Sequence, residues 1–134
     1  MFNLAIIGLG NWGKRLVESV QGKSDIVRFT HAVSRDPSRL TSFAKTHGIA
    51  TSDDYDTVLS DPAVDGVVVA GAGHLHAPQG IAAATAGKHV LVIKPFANYR
   101  KDAEALCDAA RQSGVLVALG YDRCFSPAVE VLRT

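Results

Sequence analysis

Short apolar runs along this chain alternate with segments in which apolar residues recur every three or four positions. A short continuous run predicts a strand, and the wider spacing predicts a helix with one buried face. The run at 67–70 contains no polar residue, which is typical of a central parallel strand covered on both faces. The runs that predict strands cover residues 4–7, 26–34, 67–70, 89–93 and 115–121.

Capping residues and glycines indicate where the intervening helices begin and end. Asp36-Pro37 supplies an N-cap and a first-turn proline, and Ser52 supplies a cap ahead of two aspartates whose charge suits a helix N-terminus. The residues from Pro127 onward resemble the start of a further helix. The other predicted helices cover residues 12–20, 37–48, 55–59 and 76–86, and a further helix is marked by apolar residues from Ala103 to Ala110 and ended by Gly114.

The alternation of strands and helices predicts the fold class. It favours an α/β protein, built on a doubly wound parallel sheet with right-handed crossovers and helices on both faces. This arrangement, known as a Rossmann fold, has three layers, with the sheet between two layers of helices. A chain of 134 residues suits one domain and is long enough to bury a substantial hydrophobic core.

Composition and charge exclude several kinds of partner and location for this protein. Fourteen basic and thirteen acidic residues give a formal net charge of +1 with no block of like charge, so we expect no nucleic-acid partner and no membrane surface. No apolar run is long enough to span a bilayer, and the first residues lack the charged-then-apolar order of a signal peptide. Cys107 and Cys124 are too few for a secreted disulfide framework, which favours a reduced, cytoplasmic location.

Three glycines stand between the first predicted strand and the first predicted helix. Gly8, Gly10 and Gly13 have the spacing of a dinucleotide-binding turn. In such a turn the first glycine permits the bend, the second admits a pyrophosphate and the third lets helix and strand approach. Backbone N–H groups around Asn11 and Trp12 would face the phosphate at the positive end of the helix. The alternative is a turn with packing roles only, but the strand before it and the helix after it favour phosphate binding.

The end of the second strand indicates which dinucleotide the turn would bind. A carboxylate there would accept hydrogen bonds from a ribose 2′-hydroxyl. Instead, Ser34 and Arg35 occupy the position, and Arg39 follows one helical turn later, which suits a 2′-phosphate. In another register Asp36 would reach the ribose, but it precedes Pro37 and is better placed to cap the next helix. We therefore predict NADP in preference to NAD; the alternative is that both arginines form a solvated basic edge.

Two later segments also reach the carboxyl edge of the predicted sheet. His74 and His76 resemble a metal pair, but no cysteine or carboxylate lies nearby at ligand spacing, so we predict no metal. We interpret the glycine-rich loop that contains them, including Gly71 and Ala72, as a wall of the cofactor site. Lys94 follows another apolar strand and would orient a substrate hydroxyl or carbonyl and assist proton transfer; the alternative is a solvated lysine.

Together these segments resemble the nucleotide-binding domain of the Gfo/Idh/MocA oxidoreductases, essentially from end to end. The resemblance implies NAD(P)-dependent hydride transfer between the nicotinamide and a sugar, polyol or related hydroxy or carbonyl compound, often by a cytoplasmic homo-oligomer. It implies that Lys94 is the lysine of a glutamate-lysine-proline motif that contacts substrate, and that His76 closes the first cofactor loop. Members with a serine-arginine pair at the position of Ser34-Arg35 often prefer NADP. The segments that carry the resemblance are GLGNWG, SRDPSRLTSFAKTHG, YDTVLSDPAVDGVVVA, AGKHVLVIKPFA and GYDRCFSPAVEVLR.

Three departures from the family pattern bear on activity. Ile93 stands where the motif has glutamate, which removes a carboxylate that would hold Lys94 or the nicotinamide ribose. Gly71-Ala72-Gly73 replaces a threonine-proline-asparagine segment, and this change should loosen the loop. Cys124 stands in place of an arginine, although Arg123 beside it would substitute in part.

The resemblance also implies a second, α/β domain that supplies most substrate contacts. We expect this domain to be absent here, with residues 1–120 forming the dinucleotide-binding domain and residues 121–134 beginning the connection. Because hydride transfer needs a substrate held against the nicotinamide, we expect this chain to be inactive alone. The alternatives are a noncatalytic dinucleotide-binding or sensing module and a coenzyme A-binding domain.

Overall fold

Six parallel strands form one sheet in this structure, a computed structural model that describes residues 1–133. The strands are β1 (Phe2–Ile7), β2 (Val27–Val33), β3 (Ala50–Ser52), β4 (Gly66–Val69), β5 (His89–Ile93) and β6 (Val117–Gly120). Their order across the sheet is β3-β2-β1-β4-β5-β6, and every neighbouring pair is parallel. From β1 the chain adds β2 and β3 on one side, and it then returns to add β4, β5 and β6 on the other side. The carboxyl ends of β1 and β4 therefore form the topological switch point, where ligands of such sheets bind.

Helices connect these strands. The α-helices are α1 (Asn11–Val20), α2 (Thr41–His47), α3 (Tyr55–Ser60), α4 (His76–Thr85), α5 (Arg100–Ser113) and α6 (Pro127–Arg133). Shorter 3₁₀ helices cover Pro37–Leu40, Gly73–Leu75 and Asp122–Phe125. No helix within residues 1–133 combines the length and the apolar character needed to cross a membrane.

Two hydrophobic cores cover the two faces of the sheet. On one face, Ile6 of β1 and Val68 of β4 belong to the same core as Val17 of α1. On the other face, Val67 of β4 belongs to the same core as Leu106 of α5. Alternate residues of one strand enter different cores because successive side chains point to opposite faces. The predicted doubly wound, three-layer α/β fold is therefore confirmed.

The structure contains one strand, β3, that the sequence does not predict, and one helix cap at another residue than predicted. β3 has three residues and pairs only with β2, and its Ala50 and Thr51 are exposed, so the segment has no apolar run to reveal it. The cap of α3 is Asp54, whose side chain accepts a hydrogen bond from the N–H of Thr57 at 3.1 Å. Ser52 instead ends β3. The prediction that Ser52 caps this helix is wrong.

The ends of two other helices can be compared with the predictions from capping residues and apolar spacing. Asp36 caps the 3₁₀ helix that begins at Pro37, as predicted, because its carboxylate accepts a hydrogen bond from the N–H of Ser38 at 3.2 Å. α5 ends at Ser113 with Gly114 as its C-cap, as predicted, but begins at Arg100, before the first apolar position at Ala103. Its first residues, Arg100 to Asp102, are polar, so the apolar spacing does not mark its start.

Candidate functional site

A cleft lies at the carboxyl edge of the sheet, between the start of α1 and the ends of β4 and β5. Its volume is about 300 Å³. A wider depression of about 680 Å³ lies beside β3 and α3, but none of the predicted site residues lines it. We therefore place the candidate site in the smaller cleft, which adjoins the switch point of the sheet. Its lining includes Gly10, Trp12, Gly71, Ile93, Lys94 and Asp122.

The three glycines of the first turn have different surroundings. Gly8 has a φ of +94°, and a Cβ atom there would lie 2.4 Å from the Cα of Gly71, so the turn after β1 lies directly against the loop after β4. A Cβ atom at Gly13 would lie 2.2 Å from the carbonyl oxygen of Gly8. At Gly10, by contrast, no atom lies within 4 Å of a Cβ position. The turn thus packs tightly on both sides of an open position.

The open position at Gly10 lies beside unpaired hydrogen-bond donors. α1 begins at Asn11, and no side chain caps it. Within residues 1–133, the backbone N–H groups of Asn11 and Trp12 donate to no other group. Free N–H groups at the positive end of a ten-residue helix suit an anion. The residues present therefore fit the pyrophosphate of a dinucleotide.

Ser34 and Arg35 follow β2 next to the glycine turn. The N–H of Gly8 donates to the carbonyl of Val33 at 3.4 Å, which places the end of β2 beside the end of β1. Arg35 and Arg39 are exposed, and neither guanidinium group has an ion-pair or hydrogen-bond partner within residues 1–133. Both guanidinium groups are thus free for a ligand, although Ser34, Arg35 and Arg39 do not line the cleft itself.

Lys94 follows β5 at the same edge. Its side chain is exposed and lines the cleft, and its peptide bond to Pro95 is cis. In the part of the chain that the structure describes, no side chain pairs with the Lys94 ammonium group. Ile93 lines the cleft next to it, so an apolar side chain stands where the resemblance implies a carboxylate. Lys94 is therefore free to hydrogen-bond a ligand.

The loop after β4 contains one buried and one exposed histidine. His76 is 1% exposed, with ring Nδ1 2.6 Å from the carbonyl oxygen of Pro95 and Nε2 2.9 Å from that of Gly71. His76 therefore presents no free ring nitrogen to the cleft, and its predicted cofactor contact stays a prediction. His74 and Ala72 are exposed. Within residues 1–133, no group of three His, Cys, Asp or Glu side chains is arranged to hold a metal ion.

The cleft is also lined by residues that are not among the predicted site residues: Leu16, Ala70, Gly120 and Asp122. Asp122 begins a 3₁₀ helix soon after β6, at the edge that also carries Lys94, and this shared position was the available signal. Leu16 lies four residues after Trp12 on α1, a spacing that places both side chains on one helix face. Cys124 does not line the cleft; its thiol donates to a backbone carbonyl of its own turn.

The sequence of this chain is similar to those of known oxidoreductases. Residues 2–121 match the model of the Gfo/Idh/MocA oxidoreductase family, NAD-binding Rossmann fold. The chain is 33% identical to scyllo-inositol 2-dehydrogenase (NADP(+)) IolU of Bacillus subtilis, with 99% of this chain and 40% of that protein aligned. It is 32% identical to scyllo-inositol 2-dehydrogenase (NAD(+)) of the same organism, with 92% and 36% aligned.

A solved structure shows the same fold. It is the 3-ketoreductase KijD10 from Actinomadura kijaniata in complex with TDP-benzene and NADP, with a TM-score of 0.90, 27% identity and coverage of 98% of this chain and 42% of that chain. The chain thus spans about two fifths of the length of the relatives it matches. Since the family model matches nearly all of it, this chain belongs to the Gfo/Idh/MocA oxidoreductase family and contains its NAD-binding Rossmann fold.

Proposed function

We propose that this chain binds NADP(H) in preference to NAD(H) in the cleft at the carboxyl edge of the sheet. The observation that carries the proposal is the open space beside Gly10, next to the unpaired N–H groups of Asn11 and Trp12. These groups bind the pyrophosphate, and the free guanidinium group of Arg35, with that of Arg39, binds the 2′-phosphate. The remaining cofactor-site residues in this proposal are Gly8, Gly13, Ser34, Gly71, Ala72 and Lys94, with the buried His76 directly behind Gly71.

Lys94 is the residue that we assign to catalysis. The bound cofactor would supply or accept the hydride. The Lys94 ammonium group hydrogen-bonds the oxygen of a substrate hydroxyl or carbonyl, orients it and assists transfer of the proton at that oxygen. Its exposure at the cleft and its lack of a partner within residues 1–133 support this role.

The substrate class in this proposal is a sugar, a polyol or a related hydroxy or carbonyl compound. Its support comes from relatives named as scyllo-inositol dehydrogenases and as a 1,5-anhydro-D-fructose reductase. Because the chain spans only about two fifths of these scyllo-inositol dehydrogenases, we propose that these residues form the cofactor-binding part of the enzyme and do not catalyse turnover alone.

Titration of the chain with NADPH and with NADH tests the cofactor assignment. Trp12 is the only tryptophan in the sequence and lines the cleft, so its fluorescence reports on binding there. We expect saturable quenching by NADPH and weaker binding of NADH, with calorimetry as an independent measurement. No saturable binding of either dinucleotide would refute the proposal, and tighter binding of NADH would refute the NADP preference.

A noncatalytic dinucleotide-binding or sensing module is the second candidate. It is favoured by Ile93, which places an apolar side chain beside Lys94 in the cleft. An assay of the full coding sequence that contains this chain, with polyols and sugars, separates the two candidates. Turnover that is lost in Lys94→Ala and retained in Lys101→Ala, an exposed lysine outside the cleft, would reject the module. Competition between coenzyme A and NADPH tests the third candidate, a coenzyme A-binding domain.

We further propose that residues 1–120 form the dinucleotide-binding domain and that residues 121–134 begin a connection to a substrate domain. Support comes from the last two helical segments, Asp122–Phe125 and α6, which contain no buried residue. Cytoplasmic location, assembly as a homo-oligomer and the lack of a nucleic-acid partner stay predictions from the sequence.

A further inference from the structure

The ring of His76 connects two segments that are distant in the chain. One ring nitrogen lies 2.6 Å from the carbonyl oxygen of Pro95, which follows β5, and the other lies 2.9 Å from that of Gly71, which follows β4. Carbonyl oxygens only accept hydrogen bonds, and a neutral imidazole carries one N–H, so the ring donates to one of the two segments and packs its other nitrogen against the second. Buried donors of this kind hold a single arrangement of the chain because an unpaired carbonyl in the same place would be unfavourable.

Neighbouring contacts fix the ring and join the same two segments. His76 is the first residue of α4, and Ala83 and Ala84 of that helix are fully buried in the core with β4 and β5. A Cβ atom at Gly73 would lie 3.3 Å from the Cγ atom of Pro95, so the loop after β4 also packs directly against the turn after β5. The packed helix thus holds the ring, and the ring holds the two segments.

These two segments form part of the wall of the cleft. Gly71 lines it from the β4 side, and Lys94, directly before Pro95, lines it from the β5 side, whereas His76 does not line it. We propose that His76 is a positioning residue that sets the separation between the Gly71 wall and the Lys94 ammonium group. It acts through Gly71 and Pro95 and does not touch the ligand. This inference rests on the proposed function of the cleft.

Three variants test the positioning role. His76→Phe keeps a ring of similar shape and removes the N–H donor and both ring nitrogens, and His76→Gln keeps an amide donor. His74→Phe is the matched control, because it makes the same change at an exposed histidine of the same loop. We expect His76→Phe to raise the dissociation constant of NADPH about tenfold, the effect of one lost orienting hydrogen bond. We expect the dissociation constant of NADPH for His76→Gln to stay within about threefold of the wild-type value. The dissociation constant for His74→Phe should equal the wild-type value.

Nuclear magnetic resonance of the cofactor-free chain separates positioning from direct ligand contact. In His76→Phe we expect the amide resonances of Gly71, Gly73 and Lys94 to shift or broaden, while that of Ser34, across the turn, stays in place. In the wild-type chain, a hydrogen on a ring nitrogen of His76 should exchange slowly with solvent. It should also show a nuclear Overhauser effect to Pro95 or Gly71.

Several results would overturn the positioning role. These are wild-type NADPH affinity in a folded His76→Phe, unaltered loop resonances in that variant, or a ring hydrogen that exchanges rapidly and shows no contact to either segment. If the wild-type chain binds no NADPH, the proposed function fails, and the ring and loop resonances still decide the role of His76. If His76→Phe does not fold, the wild-type ring hydrogen and the affinity of His76→Gln decide it.

Discussion

At the scale of single residues, the glycines of the first turn are required for different reasons. Gly8 has a positive φ and lies against Gly71, and Gly13 lies against the carbonyl of Gly8. Gly10 has an extended backbone, with φ −73° and ψ −167°, that any residue adopts, and it has open space where a side chain would be. Packing therefore explains the first and third glycines, while the second faces the open space that we propose for a pyrophosphate.

This difference predicts that alanine at Gly10 weakens cofactor binding, whereas alanine at Gly13 lowers the stability of the fold. Gly10→Ala should change the free energy of unfolding by less than about 0.5 kcal/mol, yet reduce NADPH affinity at least tenfold, because the new methyl group occupies the space that we assign to the pyrophosphate. Gly13→Ala should lower the free energy of unfolding by about 1–3 kcal/mol through overpacking. Urea unfolding and Trp12 fluorescence measure the two effects. Normal NADPH binding by Gly10→Ala would contradict the site assignment.

Arg35 should distinguish the two dinucleotides. Arg35→Ala should weaken NADPH binding by about 1–3 kcal/mol, the contribution of a charged hydrogen bond, and leave NADH binding unchanged. Arg28→Ala is the control, because Arg28 is an exposed arginine of β2 that bonds Asn3, away from the carboxyl edge. Isothermal titration calorimetry measures all three proteins. Equal losses for NADPH and NADH would argue against a contact with the 2′-phosphate.

At the scale of elements, the short helix α3 depends on its cap. Asp54 accepts hydrogen bonds from the hydroxyl of Thr57 at 2.6 Å and from its backbone N–H at 3.1 Å. These two hydrogen bonds, the hydroxyl bond first, lower the pKa of the Asp54 carboxyl from its ordinary value of 3.8. The charged carboxylate is thus favoured in the folded chain. Its contribution to stability is complete above the ordinary pKa and is lost as the pH falls through the depressed one.

Asp54→Ala should therefore destabilise the chain in a pH-dependent way. We expect a lower free energy of unfolding than for the wild-type chain at neutral pH. The difference between the two should shrink as the pH falls below 3.8, because the wild-type carboxyl becomes protonated. Asp53→Ala is the control, since no hydrogen bond to the adjacent Asp53 side chain occurs within residues 1–133. A difference that does not depend on pH would contradict the role of the charged cap.

At the scale of the whole molecule, the buried residues lie in the first 120 positions. None of residues 121–133 is buried, and Phe125 and Leu132 are 85% and 84% exposed. Before them, β6 pairs with β5 along Val117–Gly120. The last segments therefore add little to the core, while β6 completes the sheet.

This distribution predicts the effect of shortening the chain. A chain that ends after Gly120 should unfold cooperatively, with a free energy of unfolding within about 1 kcal/mol of the longer chain, and should still bind NADPH. A chain that ends after Ser113 lacks β6 and leaves β5 at the edge, so it should unfold at lower urea concentration. Urea titration followed by circular dichroism compares the three chains. Loss of cooperative unfolding after truncation at Gly120 would refute the proposed domain boundary.

The sequence by itself determined the layered fold and much of the candidate site. Apolar runs, the glycine spacing around Gly10 and the cap at Asp36 are signals between near neighbours, and the steric and hydrogen-bonding preferences behind them operate in any context. Because successive parallel strands end at one edge, the sequence also predicted that the glycine turn and Lys94 would lie at the same edge.

Only the tertiary structure decided the remaining features. β3 forms because β2 offers an unpaired edge to three largely exposed residues. His76 faces carbonyl oxygens 5 and 19 positions away. These features depend on contacts between residues that are distant in the sequence. Such contacts exist only once the sheet has assembled, so no pattern of neighbouring residues encodes them.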